Sequence, residues 1–232
     1  MSPSATPLPR SAVVFDLDGT LVDSEPRYFE AARRTLARYG VTAYDWAEHT
    51  RFIGIGTRET LAALREKYRI DAGVEELLAE KDRRYLELTR AGTVVFPGMR
   101  ALVERLHAAG HRLAVASGSS RAVIEAVLAG TGLAALLPVS VAAEEVARGK
   151  PAPDVFLEAA RRLGAEPAEC VVVEDAAPGA EAARRAGMRC IAVPYMPGTA
   201  DDPRFAGAGL LFPGGQGEFD PEAAYRWIAD GG

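Results

Sequence analysis

The chain has 232 residues, of which 48% are hydrophobic, enough for a packed core in one large domain or two modest ones. A net charge of -5 at pH 7 argues against nucleic-acid partners. The two cysteines, Cys170 and Cys190, are expected to be buried free thiols, and so low a count suits a reducing compartment. No stretch has the length of a membrane span or the pattern of a signal peptide. We therefore expect a cytoplasmic monomer without membrane partners, with residues 1–10 as a disordered tail.

The first predicted element is an apolar strand over Ala12–Phe15. Residues Asp23 or Ser24 are candidates to cap the helix that follows, which is predicted to reach about Tyr39. From there to about residue 91, apolar residues recur at helical spacing with charges between them, and no convincing strand is found. The sequence therefore predicts an all-helical segment over residues 25–91.

Strands and helices alternate after Pro97-Gly98. Strands are predicted at residues 113–116, 138–141, 171–173, 190–193 and 210–212, with helices between them and a last helix over residues 221–229. Alternation of this kind predicts a parallel sheet with helices on both faces. The predicted fold class is α/β: a Rossmann-like core made from residues 11–24 and 92–232, with residues 25–91 inserted as a helical cap.

Polar and charged residues follow the predicted strands at the points where those strands end. Each residue alone has an ordinary interpretation as a turn, a helix cap or a surface lysine. Because the carboxyl ends of parallel strands meet at one edge of the sheet, we expect the residues to lie close together. Carboxylates that are brought together need raised pKa values or a cation, and Mg²⁺ suits one or two carboxylates with phosphate and water. The residues are Asp16, Asp18, Ser117, Gly118, Lys150, Glu174 and Asp175.

In order and spacing, these segments resemble the four motifs of the haloacid dehalogenase-like superfamily, in the branch that contains β-phosphoglucomutase and phosphoglycolate phosphatase. The resemblance covers nearly the whole chain. One position departs from it: close relatives usually have serine after the acidic pair, and Ala176 stands here, which removes a hydroxyl near the expected metal. The motifs are Asp16-Leu17-Asp18-Gly19-Thr20, Ala116-Ser117-Gly118-Ser119, Gly149-Lys150-Pro151-Ala152-Pro153-Asp154 and Val173-Glu174-Asp175.

The resemblance implies that Asp16 is a nucleophile that accepts the phosphoryl group, and that Asp18 is the general acid and base. It implies that Lys150 balances charge on the phosphoryl oxygens, which Ser117 and the amides of Leu17, Asp18 and Gly118 would hold.

The resemblance also implies a bound Mg²⁺. Asp16 and Asp175 would supply side-chain oxygens to the ion and Asp18 its backbone carbonyl. Glu174 would lie behind these ligands or reach the ion through water.

A further implication is that the cap closes over the site, with hinges near residues 23–26 and 91–96, and selects a small phosphorylated metabolite. The candidate contacts are Arg58, which we prefer, Arg51 and Lys81, although a solvated surface charge is the ordinary interpretation of each. His49, His107 and His111 show no metal-binding spacing and are expected at the surface.

Two residues bear on the reaction. The mutases of this branch usually carry a histidine at the position of Tyr28 and an apolar residue at that of Thr20, so both favour hydrolysis of a sugar phosphate or a similar compound. Dehalogenases lack the acid found here as Asp18. The alternatives are a β-phosphoglucomutase-like phosphomutase and a non-catalytic binding module, which would be expected to have lost a motif carboxylate or the lysine.

Overall fold

A computed structural model describes residues 11–89, 92–196 and 198–231. The predicted tail over residues 1–10, and the start of the second predicted hinge at Ala91, lie outside the described residues. The strands are β1 Ala12–Phe15, β2 Arg112–Ala116, β3 Val139–Val141, β4 Cys170–Glu174, β5 Arg189–Ala192 and β6 Leu210–Leu211. The α-helices are α1 Glu25–Arg38, α2 Trp46–His49, α3 Thr57–Tyr68, α4 Val74–Thr89, α5 Pro97–Ala108, α6 Arg121–Thr131, α7 Asp154–Leu163, α8 Ala177–Arg185 and α9 Pro221–Ala229. Short 3-10 helices cover Thr50–Phe52, Ala143–Glu145, Pro167–Glu169, Pro203–Gly207 and Gly215–Gly217.

The strands form one parallel sheet in the order β3-β2-β1-β4-β5-β6, which confirms the predicted α/β class. Strand β1 lies between β2 and β4, with Phe15 opposite Val115 on one side and Val173 on the other. The chain therefore reverses its direction of winding next to β1. In open sheets of this kind, ligands bind at the carboxyl ends of the strands around such a reversal.

Helices cover both faces of the sheet. On one face, Val13 and Phe15 of β1 belong to an apolar cluster that includes residues of α5, α6 and α9. On the other face, Ala12 and Val14 pack with residues of α7 and α8. Since both faces are buried, the strands are continuously apolar instead of alternating. Cys170 and Cys190 are buried free thiols on the second face, as the sequence predicts.

The segment predicted as a cap contains helices α1 to α4 and no strand within its described residues, 25–89. It has an apolar cluster of its own, although Tyr28 and Tyr85 pack into the sheet cluster instead. The division into core and cap domains stays a prediction. In the described part of the chain, no helix is both long enough and apolar enough to cross a bilayer. The members of the separate cluster are Ala32, Leu36, Val41, Tyr44, Leu61, Leu64, Ile70, Ala72 and Leu77.

Candidate active site

Three buried side chains meet where β1 and β4 end. Because these strands are adjacent and parallel, Asp16 and Glu174 emerge at the same edge of the sheet. Lys150 Nζ donates to Asp16 Oδ1 at 2.5 Å and to Glu174 Oε1 at 2.6 Å. Burial by itself lowers the pKa of Lys150, but Asp16 and Glu174 together raise this pKa above its ordinary value. The two carboxyl groups therefore favour the charged form of the lysine.

Asp175 completes an acidic cluster. Asp16, Glu174 and Asp175 each offer an oxygen, and these oxygens lie within 4.8 Å of one another. Thr20 Oγ1 donates to Asp175 Oδ1 at 2.8 Å, while Asp175 Oδ2 is buried and has no hydrogen-bond partner among the described residues. Burial raises the pKa of Asp16 to about 8, against the opposing effect of Lys150. Burial, followed by the charge of Glu174, also raises the pKa of Asp175 well above its ordinary value.

These observations fit a hard divalent cation with oxygen ligands, such as Mg²⁺, because its charge would favour the ionised carboxylates. Glu174 has other partners. Besides its bond to Lys150, its Oε2 accepts hydrogen bonds from the amides of Asp175 at 2.7 Å and Ala176 at 3.1 Å. Asp16 and the unpaired oxygen of Asp175 are therefore the better candidates for direct ligation.

Asp18 is held by two serines. Its Oδ2 accepts hydrogen bonds from Ser117 Oγ at 3.0 Å and from Ser119 Oγ at 2.6 Å. Its Oδ1 is buried without a hydrogen-bond partner in the described part of the chain. The Ser119 hydroxyl also forms a hydrogen bond with the hydroxyl of Tyr28. Our sequence interpretation included Ser119 in the second motif but gave it no role, although its position two residues after Ser117, just past the end of β2, is a usable signal.

One cavity brings the strand-end residues together with residues of the helical segment. Leu17 does not line this cavity, since its side chain is buried in the core. The lining residues from the strand ends are Asp16, Asp18, Ser117, Gly118, Ser119 and Lys150, and those from residues 25–89 include Glu25, Tyr28, Tyr44, His49, Thr57, Thr60 and Lys81.

Lys81 is buried, so the expectation of a solvated surface charge is wrong for this residue. Its Nζ lies 3.6 Å from the ring centroid of Tyr28 and 3.4 Å from Thr57 Oγ1. Burial lowers the pKa of Lys81 to about 8, and the charges of Asp82 and Asp18 oppose this shift. Of the three predicted cap contacts, this is the one that lines the cavity of Asp16.

The two arginines lie elsewhere. Arg58 is exposed and forms an ion pair with Glu75, with Nη2 2.7 Å from Oε2. It borders a different cavity, which also touches Ser117 and Lys150. Arg51 borders a third cavity, beside Asp175 and Ala176. The structure therefore does not bring either arginine into the cavity of Asp16.

The prediction that His49 lies at the surface is wrong. The ring is buried beside Phe29 and Trp46. Its Nε2 lies 2.8 Å from Glu25 Oε2, and its Nδ1 lies 2.9 Å from the hydroxyl of Tyr44. The histidine closes the single-turn helix α2, whose four residues are too few to show a helical period. His107 is exposed and His111 is half-buried.

This arrangement is suited to phosphoryl transfer. It combines carboxylates at adjacent strand ends, a buried lysine between them and a cavity that a helical segment also lines. A family model described as haloacid dehalogenase-like hydrolase matches residues 11–187. The chain belongs to the haloacid dehalogenase-like hydrolases.

Named relatives and a solved structure agree with this assignment. Fructose-1-phosphate phosphatase YqaB of Escherichia coli is 37% identical over 184 residues, which cover 79% of this chain and 96% of that protein. The plasmid phosphoglycolate phosphatase of Cupriavidus necator is 36% identical over 208 residues, which cover 88% of this chain and 89% of that protein. The chain is 30% identical in sequence to CbbY from Rhodobacter sphaeroides, whose crystal structure in complex with xylulose-(1,5)bisphosphate matches this fold with a TM-score of 0.79. The match covers 91% of this chain and 100% of that one. The chain is a phosphoric monoester hydrolase.

Proposed function

We propose that this enzyme hydrolyses a small phosphorylated metabolite, a sugar phosphate or a similar compound, with Mg²⁺ and through a phosphoryl group carried by Asp16. The observation that carries the proposal is the buried pair of Asp16 and Lys150, 2.5 Å apart, in one cavity with a second carboxylate, Asp18. A carboxylate whose charge is already balanced can approach an anionic phosphate with less repulsion. The phosphatases among the relatives support this reading.

Asp16 and Asp175 would hold Mg²⁺ through side-chain oxygens and Asp18 through its backbone carbonyl. The unpaired Oδ2 of Asp175 and the raised pKa values of Asp16 and Asp175 support this assignment. Glu174 would act by fixing Lys150 and the amides of the Asp175 loop. When bound, the ion would neutralise charge on the phosphoryl oxygens.

In the first step, a carboxylate oxygen of Asp16 forms a bond to phosphorus as the bond between phosphorus and the ester oxygen breaks. Asp18 gives its proton to the departing oxygen, so that the product leaves as an alcohol. Ser117 and Ser119 hold one oxygen of Asp18 and leave Oδ1 free for this transfer.

In the second step, Asp18 takes a proton from a water molecule that attacks phosphorus. The bond between Asp16 and phosphorus breaks, inorganic phosphate is released and Asp18 is again protonated. Lys150 would stabilise the negative charge that returns to Asp16 as it becomes the leaving group. The backbone amides of Leu17, Asp18 and Gly118, with the Ser117 hydroxyl, are our candidates to hold the phosphoryl oxygens.

From the sequence we preferred Arg58 as the contact to the remote part of the substrate. The geometry favours Lys81 for this contact. Lys81 lines the cavity of Asp16, whereas Arg58 is paired with Glu75 outside it. The phosphomutase alternative is not favoured, because the relatives at 36–37% identity reported above are named as phosphatases. Tyr28, in the place of the mutase histidine, agrees with hydrolysis.

The test is phosphate release from an aryl phosphate and from a set of sugar phosphates, with Mg²⁺ and after treatment with EDTA. We expect EDTA to stop the reaction and added Mg²⁺ to restore it. Asp16→Asn should abolish turnover and phosphoenzyme, and Asp18→Asn should lower the rate on the order of 10² or more. Activity that survives complete metal removal, or near-normal turnover by Asp16→Asn, would overturn the proposal. Conversion between sugar-phosphate isomers without phosphate release, followed by NMR, would favour the mutase.

A further inference from the structure

A row of three hydrogen-bonded side chains on the helical side of the cavity takes no part in the chemistry proposed above. His49 Nε2 lies 2.8 Å from Glu25 Oε2, and His49 Nδ1 lies 2.9 Å from the hydroxyl of Tyr44. All three residues line the cavity that contains Asp16 and Asp18. The side chains of His49 and Glu25 are 9% and 7% exposed, so both are buried.

The row has a preferred direction of donation. Burial raises the pKa of Tyr44 above its ordinary value, so the Tyr44 hydroxyl keeps its proton and can donate it to His49 Nδ1. In the tautomer that accepts at Nδ1, Nε2 carries the ring proton and donates to Glu25 Oε2. Its other oxygen, Oε1, accepts no hydrogen bond from a described residue, and Glu25 lines the cavity.

The charges around this acceptor limit what can bind against it. Lys150 is already matched by Asp16 and Glu174. The ammonium group of Lys81 lies in the field of Asp82, Asp18 and Glu25. Lys150 is therefore not free for a second anionic group, and Lys81 is outnumbered by the three carboxylates around it.

The hydroxyl-bearing residues Thr57 and Thr60 line the same cavity. A ligand that meets Glu25 is thus offered a carboxylate acceptor, an ammonium group that Asp82, Asp18 and Glu25 surround, and hydroxyls. Hydroxyl groups satisfy such a wall, because each can donate to the carboxylate and accept from the other groups. A carboxylate at this place would face Glu25 in a space of low dielectric, where like charges repel strongly.

We propose that Glu25, held by His49 and Tyr44, accepts hydrogen bonds from hydroxyl groups at the end of the substrate remote from the phosphate. The substrate class is then a phosphorylated polyol or sugar and not a phosphorylated carboxylic acid. Glu25 acts as a specificity residue, and His49 and Tyr44 as positioning residues. This inference rests on the proposed phosphatase activity.

The test uses two pairs of compounds of different length, each differing only in CH2OH against carboxylate at the far end. They are glycerol 3-phosphate with 3-phosphoglycerate, and sorbitol 6-phosphate with 6-phosphogluconate. The quantity measured is kcat/KM for the alcohol divided by kcat/KM for the acid. We expect this ratio to exceed ten or so in the wild-type enzyme for at least one pair.

Glu25→Gln keeps the shape and removes the charge, so it should reduce the ratio on the order of tenfold, chiefly by improving use of the acid. Tyr44→Phe should reduce the ratio in the same direction by a smaller factor, because His49 loses the partner that fixes its tautomer. The matched control is Glu30→Gln on the same helix, where Glu30 pairs with Arg33 and Arg34 outside the cavity. This control should leave the ratio unchanged.

A ratio of two substrates measured on one preparation is independent of the fraction that folds, so a poorly folding variant still reports. If phosphate is released but the ratio is the same in Glu25→Gln as in the wild type, this inference is wrong and the proposed function stands. If phosphate is released neither from any of these compounds nor from an aryl phosphate, the proposed function fails and this inference fails with it.

Discussion

Gly179 lies directly against Glu174. A Cβ atom at position 179 would stand closer than 3.0 Å to Glu174 Oε1, a separation that real Cβ atoms do not show. This oxygen is the one that accepts a hydrogen bond from Lys150 at 2.6 Å. The absence of a side chain at Gly179 therefore leaves the space in which Glu174 orients the lysine beside Asp16.

Gly179→Ala should displace Glu174 and with it Lys150, and so lower kcat at least about tenfold, a typical effect of a group that orients another. Steady-state kinetics on an aryl phosphate provide the measurement. The control is Gly130→Ala on the exposed side of α6, where no atom lies within 4 Å of the added Cβ. The control should keep full activity and gain up to about 1 kcal/mol of stability from helix propensity. Equal activity in the two variants would contradict the role given to Gly179.

Lys150 should contribute to stability as well as to activity. Its removal in Lys150→Met would leave the buried Asp16 and Glu174 without their cation, which typically costs about 3 kcal/mol or more. Urea denaturation in EDTA measures this loss in the free energy of unfolding. Lys67→Met is the matched control, because Lys67 forms its ion pair from an exposed position. A loss in Lys150→Met no larger than in the control would show that the pair is not a net source of stability.

Lys81 should have the opposite effect on stability. Its pKa falls from an ordinary 10.5 to about 8 on folding, so between these values the unfolded chain binds more protons and this group makes stability rise with pH. Below about pH 8 the buried ammonium costs on the order of 3 kcal/mol. Lys81→Met should therefore stabilise the protein at pH 7 by up to this amount and lower kcat/KM for sugar phosphates.

The stabilisation by Lys81→Met should shrink as the pH rises from about 8 towards 10.5, which urea denaturation at a series of pH values can follow. Lys67 provides the comparison, since its hydrogen bond to Glu48 raises its pKa above the ordinary value. Its contribution is present below pH 10.5, so the effect of Lys67→Met should be constant between pH 7 and 10. A stabilisation by Lys81→Met that is independent of pH would contradict the assignment.

Sequence patterns predicted the sheet and the meeting of Asp16, Glu174 and Asp175 for a simple physical reason, whereas the place of Lys150 beside them was implied by the resemblance. Buried parallel strands are short apolar runs, and their carboxyl ends share an edge whatever the details of packing. No strand bound moved by more than one residue.

The helical side of the cavity could not be predicted in the same way. Lys81 lies on α4 among other charged residues, and only the packing of α4 against α1 and Tyr28 buries it. The burial of His49 depends on Glu25 and Tyr44, which contact it through tertiary structure. Helical periodicity identifies an apolar face, but it does not tell which charged residue at the edge of that face turns inward.

The contact between Gly54 and Ala176 leads to the last prediction. Gly54 has a φ of 80°, and a Cβ there would stand closer than 3.0 Å to the Cβ of Ala176, which follows Asp175. We expect Gly54→Ala to push the helical segment away from the strand ends, through both this clash and the strain of a positive φ. It should lower kcat/KM more for a sugar phosphate, which uses contacts such as Lys81, than for a small aryl phosphate, which does not. Gly73→Ala, in the same segment with no atom within 4 Å of the new Cβ, should change neither value. Equal losses on both substrates in Gly54→Ala would assign the contact to folding of the site and not to closure over the substrate.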